Sequence, residues 1–195
     1  MTAASAPEPT GPPPKDGELS HVRADGSSHM VDVSEKPITA REASASSTLR
    51  TRPDVIAKIL AGDLPKGEAI SVARIAGIMA AKRTSDLVPM CHPLPISSVT
   101  VDIERSGEAE ITATARVRTT GRTGVEMEAL TAASVATLTL FDMIKAVDHL
   151  AVITNTRVLA KSGGKSGDWS REEHSGEQFR SEQFRGEQGS EVGHV

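Results

Sequence analysis

The sequence predicts an α+β fold: a ferredoxin-like sheet with helices packed on one face, assembled as an oligomer. Three observations predict it. The apolar residues change period along the chain in the order strand, two helices, hairpin, long helix, strand. Between residues 20 and 169 the only aromatic side chains are Phe141 and Trp169, so Ala, Val, Ile, Leu and Met must build the core. The long helix carries small or apolar residues round most of its circumference. A domain of this size buries such a helix by sharing a face with another subunit.

Each element has its own signal. Residues 29–34 and 38–48 read as extended, with Val31 and Val33 alternating against polar neighbours. Pro53 suits the first position of a helix, and Val55, Ile56, Ile59 and Leu60 follow at helical spacing up to Gly62. A second helix is expected from Glu68 to Arg83, with Ile75, Ile78 and Met79 on one side. Pro89, Pro93 and Pro95 then stiffen a nonhelical connector. Ile96–Ile103 and Ala109–Arg118 alternate as strands around a turn at Ser106-Gly107, which makes a hairpin. Gly124 precedes the long helix, Val125–Val147. Ala151–Ala160 is the last strand, followed by the loop KSGGKSGD, Lys161–Asp168.

The 195 residues divide by composition into a disordered Pro-rich leader (1–19), a single domain (20–169) and a disordered polar tail (170–195). The tail holds the near-repeat GEQFRSEQFRGEQ. The formal net charge is −4, but most of the acid lies at the ends. The leader has one Lys against three acids and the tail three Arg against six Glu, so 20–169 carries +1. Where its basic groups sit therefore matters more than their sum. The lack of stacking aromatics argues against nucleic acid as a partner. One cysteine excludes an intrachain disulfide and a Cys-rich zinc site, and the six His show no ligand spacing, so no metal site is expected. No uninterrupted apolar run reaches the ~18–20 residues of a membrane span, and MTAASAPEPTGPPPK lacks the features of a secretory signal. A cytoplasmic protein without a membrane partner is the expectation.

Several constellations carry possible chemistry. KSGGKSGD is not a P-loop: Leu159 stands where the first glycine would be, and no helix follows. It is either an anion nest, with Lys161 and Lys165 among glycine N–H groups, or a flexible loop. In VPMCHPLP, Cys91 and His92 point to opposite sides of an extended segment and make a poor nucleophile pair. Cys91 reads as a small buried hydrophobe. His92, between prolines, is either a phosphate donor or proton carrier, or a structural histidine. Glu126 and Glu128 suit the positive end of the long helix. Asp142 and Lys145 are i, i+3 and can pair on one face; they form either a surface ion pair or, as Leu138, Leu140, Phe141, Met143 and Ile144 around them suggest, a buried acid–base pair. GRTG, 121–124, either presents N–H groups to an anion or is a plain turn. Arg41 and Lys66 have no signal of their own.

HMVDVS (29–34), KG (66–67), ARIAGIMAAKRTSDLVPMCHPL (73–94), TGVEMEALTAASVATLTLFDMIKAV (123–147) and LAKSGGKSGD (159–168) together resemble the MoaC-type cyclic pyranopterin monophosphate synthases of molybdenum-cofactor biosynthesis. The resemblance spans roughly 20–169. It implies a homohexamer, a trimer of dimers with interfacial active sites. It implies conversion of (8S)-3′,8-cyclo-7,8-dihydroguanosine 5′-triphosphate to cyclic pyranopterin monophosphate and pyrophosphate. The catalytic aspartate then falls on Asp142 and the catalytic lysines on Lys66 and Lys145, with Lys66 expected from the facing subunit. Substrate contacts fall on Met90, Cys91 and His92, and on Glu126, Met127 and Glu128. Arg41, Lys161 and Lys165 fall near the triphosphate. No cofactor is required by the residues, and Mg²⁺ is expected only as a companion of the triphosphate. The alternative reading is a nonenzymatic module that binds a nucleotide or another anion.

Overall fold

The computed structural model describes residues 29–165 and 167–171. The chain divides into residues 1–32 and 33–195. Of the first unit only 29–32 are described, and they form no helix or strand. Residues 29–34, read as extended, form no regular strand, and a turn begins at Ser34. The Pro-rich leader and all of the polar tail beyond Arg171 lie outside the described residues.

In the second unit the elements are β1 (Thr39–Arg50), α1 (Pro53–Ala61), α2 (Ala69–Ala81), α3 (Thr84–Leu87), β2 (Ile96–Gly107), β3 (Glu110–Gly121), α4 (Glu126–Ile144), β4 (Val152–Ser162) and β5 (Trp169–Ser170). Local chemistry sets their ends. Pro53 opens α1, and Gly62, at φ 71, closes it in the left-handed conformation. The Glu68 carboxylate accepts the N–H groups of Ile70 and Ser71 and caps α2. α3 and β5 have no counterpart in the sequence reading.

The sheet runs β2-β3-β1-β4-β5, with every neighbouring pair antiparallel. Its first four strands have the ferredoxin-like order expected. β5 crosses the expected boundary at 169/170, with Ser170 paired to Ala160. Inward positions alternate as a half-buried strand requires: Ala43, Ala45 and Leu49 on β1, and Ile111, Ala113, Ala115 and Val117 on β3. α4 covers this face with Ala129, Ala132, Ala133, Ala136, Leu140 and Ile144. By length and composition α4 is apolar enough to cross a membrane, but half of it is buried on the sheet and α2.

α2 corrects one expectation. Its buried side is Ala69, Ala73, Gly77, Ala80 and Ala81, while Ile75 and Met79 are 59% and 51% exposed. The reason is the close approach of α2 to α4. A methyl group on Gly77 would lie 2.8 Å from Ala132 O and 3.2 Å from Ala136 Cβ. Only small side chains fit that seam, so the larger ones turn outward.

One end of the sheet gathers the start of β1 and the ends of β3 and β4, through the pairs Thr39–Gly121 and Glu42–Ser162. α4 starts at that end and finishes at the other. This polarity positions the site residues.

Candidate active site

At the C-terminal end of α4 the Asp142 carboxylate lies between two ammonium groups. Lys145 Nζ is 2.7 Å from Oδ1, and Lys66 Nζ is 2.7 Å from Oδ2. Lys66 also donates to the Asp142 carbonyl oxygen at 2.8 Å. Gly67 supplies the turn that presents Lys66, its φ of 91 being one an L side chain rarely adopts. The Lys145 hydrogen bond, and then that of Lys66, hold the Asp142 carboxyl down at about 2.

Two expectations are corrected here. Lys66 reaches Asp142 within one chain, not from a facing subunit. The pair is not buried either: Asp142 and Lys145 side chains are both 54% exposed. The apolar neighbours mislead because they divide by face. Leu140, Met143 and Ile144 turn inward, while Leu138, Asp142 and Lys145, at i, i+4 and i+7, turn outward.

At the other end of α4 a cleft of about 1030 Å³ opens between β1, the turn before α4 and the loop after β4. It brings together Arg41, Glu126, Lys161 and Lys165, with Lys36 and Arg122. Lys161 pairs with Glu126 at 3.1 Å. Glu42, also in the lining, is taken by Arg116 and Arg118. Among the described residues Lys36, Arg41, Arg122 and Lys165 make no ion pair with a carboxylate. Two buried polar atoms here, Arg41 Nε and Thr39 Oγ1, have no hydrogen-bond partner. Buried donors are rarely left so, and an anion in the cleft would satisfy them. α4 adds its positive end, with no side-chain cap at Val125.

Arg122 and Lys36 are the residues the sequence did not single out. GRTG carried the signal, but its arginine was not separated from its backbone. Arg122 Nη1 donates to Lys36 O, and Arg122 O accepts from Arg41 Nη2, both at 3.3 Å. One small network therefore aligns three cationic residues.

Glu126 and Glu128 diverge, as residues two apart on a helix must. Glu126 lines the cleft, whereas Glu128 is buried and 4% exposed. Burial pushes its carboxyl up, and the charge of Glu126 pushes the same way. Cys91 is half-buried, and its thiol is raised by burial and then by Glu128. That places Cys91 near the start of α4 and makes it a poor thiolate. Met90 and His92 flank it, both half-buried, and Met127 is 40% exposed. No three His, Cys, Asp or Glu side chains gather as a metal site among the described residues.

The site residues thus fall into two groups, joined by one helix. From Glu126 to Asp142 is about 24 Å along the axis at 1.5 Å per residue. The first group can move protons, and the second can hold a polyanion.

The model of the MoaC family matches residues 30–164. A cyclic pyranopterin monophosphate synthase of Corynebacterium efficiens is 60% identical over 153 residues, covering 78% of this chain and 98% of the relative. Cyclic pyranopterin monophosphate synthase 2 of Mycobacterium tuberculosis is 58% identical over 157 residues, 80% of this chain and 93% of the relative. That of Streptomyces avermitilis is 56% identical over 172 residues, 88% of this chain and 99% of the relative.

Proposed function

The chain belongs to the MoaC family, and on that footing we propose that it is a lyase that makes cyclic pyranopterin monophosphate for molybdenum-cofactor biosynthesis in the cytoplasm. Its substrate is the cyclised GTP derivative, and pyrophosphate is the second product. The observation that carries this reading is the coupling, by one helix, α4, of a proton-handling triad to a cleft rich in cations, most of them without a carboxylate partner.

The roles follow from the geometry. The reaction rearranges rings without net redox change, so it needs proton donors and acceptors. Lys66 and Lys145 are the groups able to exchange protons with substrate. Asp142, ionised between them, fixes both nitrogens within 2.7 Å of its oxygens and is the electrostatic anchor of the triad. Closure of the cyclic phosphate forms a new bond from a substrate hydroxyl oxygen to the α-phosphorus and breaks the bond to the pyrophosphate oxygen. Negative charge grows on the leaving group. Arg41, Lys161 and Lys165, which line the cleft, stabilise it there. Glu128, Met127 and the 90–92 segment contact the ring system. Mg²⁺ would be carried by the triphosphate, because no metal-holding cluster of His, Cys, Asp or Glu lies among the described residues.

Two groups about 24 Å apart are further separated than one nucleotide spans. Each complete site therefore takes its triad from one subunit and its cleft from another. This supports an interfacial site, and the homohexameric trimer of dimers is proposed from the family resemblance. The apolar side chains left outward, Val72, Ile75 and Met79 on α2 and Leu138 on α4, support association as well.

The test is turnover of the cyclised GTP derivative by purified protein, read as release of cyclic pyranopterin monophosphate and pyrophosphate. Product in stoichiometric amounts is expected. Tight binding of the substrate without turnover would instead identify an anion-binding module.

A further inference from the structure

The loop after β4 is drawn closed by ties that the reaction does not use. Asp168 Oδ1 accepts the N–H of Gly163 at 3.1 Å, and the N–H of Gly167 donates to Gly164 O at 3.3 Å. Beyond them β5 pairs back on β4, with Trp169 opposite Lys161. Arg171 Nε donates to Val158 O at 2.7 Å, and its guanidinium lies over the Trp169 ring at 5.5 Å. Apart from the Arg171–Trp169 contact, which lies within the returning chain, each of these contacts fastens that chain to the segment that carries Lys161.

What is fastened is intrinsically loose. Gly163 and Gly164 are both at φ 84, and glycine gives up more backbone entropy on ordering than any other residue. The shape of this loop also sets the cleft. A Cβ on Gly164 would fall on Arg41 Nη1, and one on Gly163 would fall on the carbonyl oxygen of Ala40. The guanidinium of Arg41 therefore rests on the backbone of Gly164, and Lys165 follows directly.

We propose that Asp168 is a positioning residue for the phosphate-binding side chains Arg41, Lys161 and Lys165. Its carboxylate latches the loop through the N–H of Gly163 and touches no substrate atom. The inference rests on the phosphate role given to the cleft above.

Charge and latch can be separated, because a carboxylate near the cleft also repels an anion. Asp168→Asn keeps an Oδ1 acceptor and removes the charge, whereas Asp168→Ala removes both. The measurements are calorimetric binding of inorganic pyrophosphate to the full chain, and KM and kcat with the cyclised nucleotide. For Asp168→Ala, pyrophosphate binding weakens and KM rises by roughly fivefold, with kcat within about twofold of wild type. For Asp168→Asn, pyrophosphate binds as well as to wild type, or more tightly. The proposal is overturned if Ala and Asn behave alike, or if Ala lowers kcat at unchanged KM. Wild-type protein that binds pyrophosphate without turnover removes the proposed reaction, while the binding comparison still decides the latch. Wild-type protein that binds no pyrophosphate removes both.

Discussion

Lys66 and Asp142, 76 positions apart, are joined twice: the ammonium donates to Oδ2 at 2.7 Å and to the carbonyl oxygen at 2.8 Å. The second bond satisfies a carbonyl in the last turn of α4, at the negative end of the helix. A cation suits that place before any substrate arrives. The triad is therefore preorganised within the folded subunit.

Asp142→Asn lowers kcat by about 10²–10⁴-fold and leaves the assembly intact. Steady-state kinetics beside sedimentation checks both. The carboxyl sits at about 2 in the folded chain. Its folded value lies below the unfolded one, so its contribution to stability is present above the ordinary aspartate range and lost only as pH falls toward about 2. Thermal melting from pH 5 to 9 registers no transition from this group, and neither does the rate profile.

Lys66→Arg separates charge from proton transfer. Arginine keeps the cation beside Asp142 but does not deprotonate in proteins. The variant retains the fold and the ion pair and loses turnover to about the same extent as Lys66→Ala. Recovery of turnover by Lys66→Arg would make Lys66 a purely electrostatic group.

Lys165→Ala and Arg122→Ala each raise KM roughly tenfold, with smaller effects on kcat, because each removes one charge-assisted contact to phosphate. The effect on KM shrinks as salt rises. Kinetics at two ionic strengths is the check.

Glu128→Gln flattens the dependence of stability on pH. Burial raises the folded carboxyl above its unfolded value. The native state then binds the extra proton, and stability falls as pH rises from the ordinary glutamate range through the folded value. Glutamine has no such loss. Melting temperatures at pH 4 and pH 8 differ less in the variant than in wild type.

Co-expression of Asp142→Asn subunits with subunits in which Arg41, Lys161 and Lys165 are all replaced by Ala restores turnover at low substrate that neither has alone. On the proposed pairing of one subunit's triad with another's cleft, random mixing leaves roughly a quarter of the sites undamaged. Activity no greater than the sum of the separate variants would place both groups of each site in one chain.

The sequence made the sheet legible where one face alternates. β2 and β3 are read from Val99, Val101 and Ile103 against Ile111, Ala113, Ala115 and Val117. It made α4 legible from composition, and Gly62 as a stop. The two-residue β5 escaped because its pairing with β4 is a tertiary contact. α3, four residues long, escaped because TSDL has too few positions to show a period. Ile75 and Met79 misled because apolarity marks a core only when the facing helix leaves room, and Gly77 and Ala132 leave none. Among the site residues, Asp142 and Lys145 are adjacent on a helix and were legible. That Lys66 joins them in the same chain depends on how α2 packs along α4, which no local spacing encodes.

Gly163 and Gly164 have a consequence for inhibition. Gly163 is blocked twice, by its left-handed backbone and by the Ala40 carbonyl oxygen, while a side chain at Gly164 would be strained by its left-handed backbone and would push the Arg41 guanidinium aside. An inhibitor anchored on the main chain of these two residues would meet a surface that substitution alters only at a cost in backbone strain or in the seat of Arg41. Escape from it would have to begin elsewhere in the pocket.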